Sequence, residues 1–228
     1  MPGLALAPRC RTTPTPYPSP QGRGDSATPR HSVDRQAALH WLPPIRFRSV
    51  SLLKILAISG SLRAASTNSA LLAALARHVP EGCELTAYDG MGRLPIFNPD
   101  DEGERTPAEA ARLIEAVGAA DGLVVSSPEY AHGVPGGMKN ALDWLVSRDA
   151  AVGKPAMLVH ASSRSAISRA ALAEVMRTMS FDLYDRGELE IHLLGNRAEQ
   201  ITAILADAAN AALMRDTLSS FADFIRKR

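Results

Sequence analysis

Cysteine is almost missing from this chain. The 228 residues contain two, Cys10 and Cys83, with no CxxC spacing and no histidine at metal-ligand distance along the sequence. No zinc site or iron–sulfur cluster is therefore readable, and a reducing cytoplasm is the compartment that fits. Long apolar runs are missing too. The longest are strand-length pieces such as Ile55–Ile58 and Leu123–Val125, well short of the roughly 18 residues that a membrane-spanning helix needs, so no membrane partner is expected. Lysine is absent from the first 50 residues, which hold seven Arg and two acidic residues for a charge of +5, leaving −4 for the remainder. A mildly acidic remainder lacks the basic face that nucleic acid requires, and no nucleic-acid partner is expected. Also missing are the G-x-G-x-x-G of dinucleotide-binding domains and the G-x-x-x-x-G-K-[ST] of nucleotide triphosphatases. No motif positions a Ser/His/Asp or Cys/His set, so hydrolase chemistry has no support.

What is present divides near residue 50. Residues 1–50 hold nine of the 16 prolines, including Pro14, Pro16, Pro18 and Pro20 at alternate positions, and show neither helical nor strand periodicity. This extension is expected to be disordered. It is read as a flexible tail, an Arg-rich targeting peptide or a stretch added by a start codon assigned too early, with the last preferred. Residues 51–228 are expected to form one domain.

Within that domain strands alternate with helices, the pattern of βαβ units and a parallel sheet. Strands are expected at Leu53–Ser59, Cys83–Tyr88, Gly122–Ser126, Pro155–His160 and Leu189–Leu193. Helices are expected at Asn68–His78, Pro107–Ala119, Gly137–Val146, Ser165–Met179 and, as one C-terminal region, Ala198–Arg226. In the first helix Leu71, Leu72, Leu75 and Val79 form one apolar stripe able to pack on a sheet.

Two loops carry the chemistry. The first, Ile58-Ser59-Gly60-Ser61-Leu62-Arg63-Ala64-Ala65-Ser66-Thr67-Asn68, leads from the first strand into the first helix. Ligands of open parallel sheets bind beyond the carboxyl ends of strands, and a helix N-terminus offers unpaired N–H groups and partial positive charge to a phosphate. Arg63 adds a guanidinium, Ser61, Ser66 and Thr67 add hydroxyls, and Gly60 permits a tight turn. A compact monophosphate suits this set, the plainer alternative being that Ser66 or Thr67 only caps the helix. The second loop, Ser126 to Leu145, runs through Pro128-Glu129-Tyr130-Ala131-His132-Gly133 into the third helix. It reaches the same sheet edge, and Tyr130 offers a flat face to an aromatic ring. His132 is a weak candidate contact; His160, His78 and His192 read as strand-end, helix-end and strand positions.

The pair GSLRxxSxN and PEYxxGxPGxxKNAxDWL resembles the NADPH-dependent FMN reductase family, which includes quinone, chromate and azo-dye reductases. The likeness runs from about Lys54 to Pro155 and takes in Leu94-Pro95-Ile96-Phe97-Asn98, similar to the family's loop near the flavin. It implies a flavodoxin-like α/β fold, three layers α/β/α about a five-stranded parallel sheet of order 2-1-3-4-5. It implies FMN as cofactor and NADPH or NADH as co-substrate, with a quinone-like or other small molecule as electron acceptor and a homodimer or homotetramer as the assembly. Ser61, Arg63, Ser66 and Asn68 would bind the FMN phosphate; Pro128, Glu129, Tyr130 and Gly133 would line the isoalloxazine and ribityl region. Asn140, Asp143 and Trp144 are expected to stabilise the loop and bury the helix. No catalytic side chain is expected, because the flavin performs the redox chemistry. The competing reading is a flavodoxin-type electron carrier or a binding protein that has lost its cofactor. One departure stands out: relatives carry a serine and a glycine-rich stretch after the fourth strand, whereas Ala161–Arg169 has no glycine. There Arg164 and Arg169 could meet the pyrimidine edge of reduced flavin or the 2′-phosphate of NADPH, or be ordinary solvated charges.

Overall fold

The computed structural model describes residues 52–228; the reading of residues 1–50 as a disordered extension falls outside them. The elements run β1 (Leu53–Ser59), α1 (Thr67–Ala76), β2 (Cys83–Ala87), α2 (Ala108–Ala119), β3 (Gly122–Ser126), α3 (Gly136–Asp143), β4 (Pro155–His160), α4 (Ala166–Thr178), β5 (Asp182–Leu183), β6 (Leu189–Glu190), α5 (Ala198–Ala206) and α6 (Ala208–Arg226). All pairings are parallel, in the order β2-β1-β3-β4-β5, and β6 also pairs with β4.

Alternation along the strands distributes the core. Ile55, Ala57, Val124, Met157 and Val159 face a layer built from α1, α5 and α6. Leu56, Ile58, Leu123, Val125 and Ala156 face a layer built from α2, α3 and α4. Both faces of the sheet are covered, which is why its strands read as continuous apolar runs.

Two expectations change in detail. The fifth strand position is shared by two short pieces: β5 pairs with the start of β4 and β6 with its end. Between them Tyr184 turns its ring into the core, edge-on to Phe221 and Phe224, and its hydroxyl donates to Ser220 Oγ at 2.8 Å. Ladder bonds continue beyond β6, from Ile191 N–H to His160 O and from Leu193 N–H to Ala161 O, so the segment 189–193 does run along β4. The C-terminal helical region is broken at Asp207, whose extended backbone ends α5 and whose carboxylate accepts from Ala209 N–H and Asn210 N–H to start α6. An aspartate between alanines supplies the cap that a continuous helix would not use.

Gly122 opens β3 directly beneath α6. A Cβ there would lie 2.6 Å from Ile225 Cδ1 and 3.3 Å from Phe221 Cζ. Alanine in a strand ordinarily gains roughly 0.5–1 kcal/mol over glycine, but overpacking costs roughly 1–3 kcal/mol. Gly122→Ala is therefore expected to lower stability, read as a reduced denaturant midpoint with an unchanged slope.

Candidate functional site

Four loops meet at the carboxyl edge of the sheet, following β1, β3, β4 and β6. The strand order places β1 and β3 side by side with their connections leaving to opposite faces, the switch point at which such sheets form a crevice. The loops enclose a cleft of about 1020 Å3.

The wall after β1 is fastened by strand-end serines. The buried Ser126 Oγ, at the end of β3, donates to Asn68 Oδ1 at 2.9 Å and ties that strand to the first turn of α1. Ser59 Oγ lies 3.0 Å from Ser69 Oγ, and Ser61 N–H donates to Ser59 Oγ. Gly60 passes so close to β3 that a Cβ would stand 2.6 Å from Ser127 Oγ and 3.1 Å from its Cβ, while Gly60 N–H donates to Ser126 O. Ser66 caps α1: its Oγ accepts from Ser69 N–H at 3.2 Å. That lone-pair contact leaves the hydroxyl hydrogen available to a ligand, so capping and ligand contact are compatible at Ser66. Ser61, Arg63, Ser66 and Asn68 all line the cleft.

The loop after β3 supplies the facing wall. Pro128, Glu129 and Tyr130 line the cleft, and Tyr130 is 51% exposed there. Gly133 does not line it; it closes a two-residue hairpin, exchanging backbone bonds with Tyr130 at 2.9 and 3.2 Å. The hairpin's central residues, Ala131 and His132, both have positive φ, 49° and 58°. Residues with a Cβ pay roughly 1–2 kcal/mol each for that conformation. Glu129 is a strut. Its Oε2 accepts from Ser168 N–H in the first turn of α4 at 2.9 Å, where a carboxylate is favoured by the helix dipole, and its Oε1 meets His132 Nδ1 at 3.1 Å. His132 is thus turned toward Glu129.

Asn140 and Trp144 do not line the cleft. Asn140 Oδ1 accepts from Phe97 N–H, and both Asn140 Nδ2 and Trp144 Nε1 donate to Pro95 O. Together they fasten the segment 94–98 to α3, as their placement on that helix leads one to expect. Asp143 pairs with Lys139 one turn earlier.

The glycine-free stretch after β4 separates its two arginines. Arg169, 17% exposed, bonds Ser162 O and Ser165 Oγ and pairs with Glu190 at 2.6 Å and Glu188 at 3.9 Å. Its bonds brace the turn from within the protein. Arg164 lines the cleft together with Ser162 and Ser165. His160, buried at the end of β4, has its pKa lowered to about 4 by burial first and by Arg169 second, against an opposing effect of Glu190.

Sequence reasoning missed Leu194, Gly195 and Asn196, which line the cleft after β6. The signal was available, since a Gly-Asn pair lies just beyond the segment 189–193 that runs along β4. The struts at Glu129 and Arg169 had no local signal, because their partners lie 39 and 21 residues away.

Hydroxyls, backbone N–H groups and a guanidinium at one end of the cleft, with a half-exposed tyrosine across it, form a donor set that fits a phosphorylated aromatic ligand. The comparisons with known proteins agree. A sequence model described as NADPH-dependent FMN reductase matches residues 53–185. The chain is 29% identical over 182 residues to a quinone reductase of Escherichia coli, covering 77% of this chain and 96% of that protein. It is 35% identical over 162 residues to an NAD(P)H-dependent FMN reductase of Pseudomonas aeruginosa, covering 70% of this chain and 80% of that one. Its fold matches FerB, a flavoenzyme NAD(P)H:(acceptor) oxidoreductase from Paracoccus denitrificans, with a TM-score of 0.66 at 24% identity over 77% of this chain and 98% of that one. The chain belongs to the NADPH-dependent FMN reductase family.

Proposed function

We propose that the cleft holds FMN and that the protein is an NAD(P)H-dependent oxidoreductase delivering electrons to a quinone-like or other small acceptor. The observation that carries this reading is the convergence of the α1 N-terminus, with Ser61, Arg63, Ser66 and Asn68, and the Tyr130 hairpin on one cleft. FMN held there would supply the redox chemistry between nicotinamide and the acceptor. The chain binds and orients. Arg63 and the hydroxyls of Ser61 and Ser66 take the phosphate, with Asn68 held in place through its carbonyl by Ser126. Pro128 and Tyr130 border the ring. Glu129 and Gly133 act one step back, Glu129 by anchoring the loop to α4 and Gly133 by closing the hairpin that presents Tyr130.

Arg63→Ala is the direct test of the phosphate assignment. A charge-assisted bond contributes roughly 1.5–3 kcal/mol, so FMN affinity is expected to fall by a factor of roughly ten to a hundred while the unfolding midpoint stays put. Unchanged FMN content in the purified variant would remove Arg63 from the phosphate site.

The reading extends to a homodimer or homotetramer. Leu62, Ile96 and Val146 are exposed around α3, with Ile96 82% exposed on the segment that Asn140 and Trp144 fasten down; apolar side chains gathered this way favour a subunit contact. It extends also to the cytoplasm, supported by the free thiol of Cys83. No helix among the described residues is long and apolar enough to cross a membrane.

A further inference from the structure

The cleft is roomy and presents two positive charges that no carboxylate among the described residues neutralises. At about 1020 Å3 it stands at the upper end of the roughly 300–1,000 Å3 usual for small-molecule sites. Two arginines line it, Arg63 beside α1 and Arg164 after β4. Among the described residues neither takes part in an ion pair. The one acid in the lining, Glu129, directs its carboxylate to Ser168 N–H and His132.

Arg164 stands on a braced turn. Its N–H donates to Ser162 Oγ at 3.0 Å, and the buried Ser165 donates through its Oγ to Ser162 O at 3.2 Å. Arg169 grips the same turn through Ser162 O and Ser165 Oγ and is itself held by Glu190. One arginine is fixed below the turn while the other is presented from it. Ser162 Oγ, accepting from Arg164 N–H, keeps its own hydrogen to donate. A guanidinium and a hydroxyl on a pre-ordered turn are suited to a planar or tetrahedral oxyanion.

We propose that Arg164, with Ser162, forms a second anion position in the cleft, distinct from the Arg63 phosphate position, for an oxyanion carried by the ligand that meets the flavin. The proposal rests on the flavin reading above. Two ligands of such a reductase carry the required group: the hydride donor, through the 2′-phosphate that NADPH has and NADH lacks, and an acceptor bearing a sulfonate or carboxylate.

The experiment measures binding at equilibrium and steady-state kinetics on the FMN-loaded protein and its Arg164→Gln and Arg164→Lys variants. Adenosine 2′,5′-bisphosphate against adenosine 5′-monophosphate reports the donor's phosphate; a sulfonated against an unsulfonated anthraquinone reports the acceptor's charge. Loss of one guanidinium contact is expected to weaken the anionic member of one pair by about ten-fold or more. The neutral or singly phosphorylated member should move little, and Arg164→Lys should recover part of the loss. The matching KM, for NADPH or for the sulfonated quinone, should rise by a similar factor. Whichever pair responds identifies the source of the oxyanion. If Arg164→Gln leaves both pairs unchanged, the second anion position does not exist. If Arg164→Gln purifies without flavin, Arg164 belongs to the FMN site and the proposal is likewise overturned. A wild-type protein unable to take up FMN would instead overturn the flavin reading, a failure visible before any variant is compared.

Discussion

Trp144→Ala is expected to lower the unfolding free energy by about 3–5 kcal/mol, the range for emptying a large aromatic site in a core. The side chain is fully buried. Its ring meets Phe97 in a T-shaped pair with centroids 5.0 Å apart, and its N–H donates to Pro95 O at 2.8 Å. The substitution therefore removes a core volume and one of the fastenings of the segment 94–98. Asn140 retains its two bonds to that segment, so the segment should loosen without detaching. Trp144→Phe keeps most of the ring and loses the N–H donor, leaving Pro95 O with Asn140 alone; a cost nearer 1–2 kcal/mol is expected. Denaturant unfolding of the three proteins checks the order. A loss below about 1 kcal/mol for the alanine variant would show that the site collapses and that the tryptophan is not the anchor described.

His160 carries the second large effect. Its folded pKa of about 4 lies below the roughly 6.5 of a histidine in an unfolded chain. The folded protein therefore binds fewer protons at this group than the unfolded chain does between those two values. By linkage, the contribution is fully present above about pH 6.5 and is lost as the pH falls toward 4. Over that window the difference amounts to about 3 kcal/mol. The cause is burial at the end of β4 beside Arg169, only partly offset by Glu190. His160→Gln does not titrate, so its stability should fall less steeply over the same window, whatever the substitution costs at neutral pH. Parallel curves for wild type and variant would mean that His160 is not held neutral.

Much of the fold was legible because its signals are local. β1, β3 and β4 begin and end where expected, since each is an apolar run closed by small or polar residues: Ser59-Gly60, Ser126-Ser127 and His160-Ala161-Ser162. The order of the sheet followed from the alternation of strands and helices together with the family resemblance. The fifth strand was half legible. The second piece starts at Leu189 as expected, but Asp182–Leu183 spans two residues and carries no periodicity. The break at Asp207 was obscured by the alanine-rich sequence around it, which favours helix on either side.

In the candidate site the loops that line the cleft were legible and the bracing was not. Seven of the eight residues expected to bind cofactor line one cleft, because the rule that ligands sit beyond strand carboxyl ends reads directly from a strand boundary. Gly133 was expected in the lining from the family resemblance; in the structure it closes a hairpin with two residues of positive φ that no turn motif announces. The braces formed by Glu129 with Ser168 and by Arg169 with Glu190 depend on the tertiary approach of α4 and β6 to the loops. The missing glycines after β4 left open whether that rim was crowded. In the folded chain the rim is a serine turn braced from below, and Gly195 enters the cleft from the next strand.

Whether this cleft binds FMN and lets NAD(P)H reduce it is decided by a visible absorption spectrum of the purified protein, reconstituted with FMN and then mixed with NADPH without oxygen. Stoichiometric bound flavin that bleaches on addition of the nucleotide and recovers its colour when a quinone is added is the expected result. Bound flavin that stays oxidised in excess NADPH, or a protein that takes up no FMN, would contradict it.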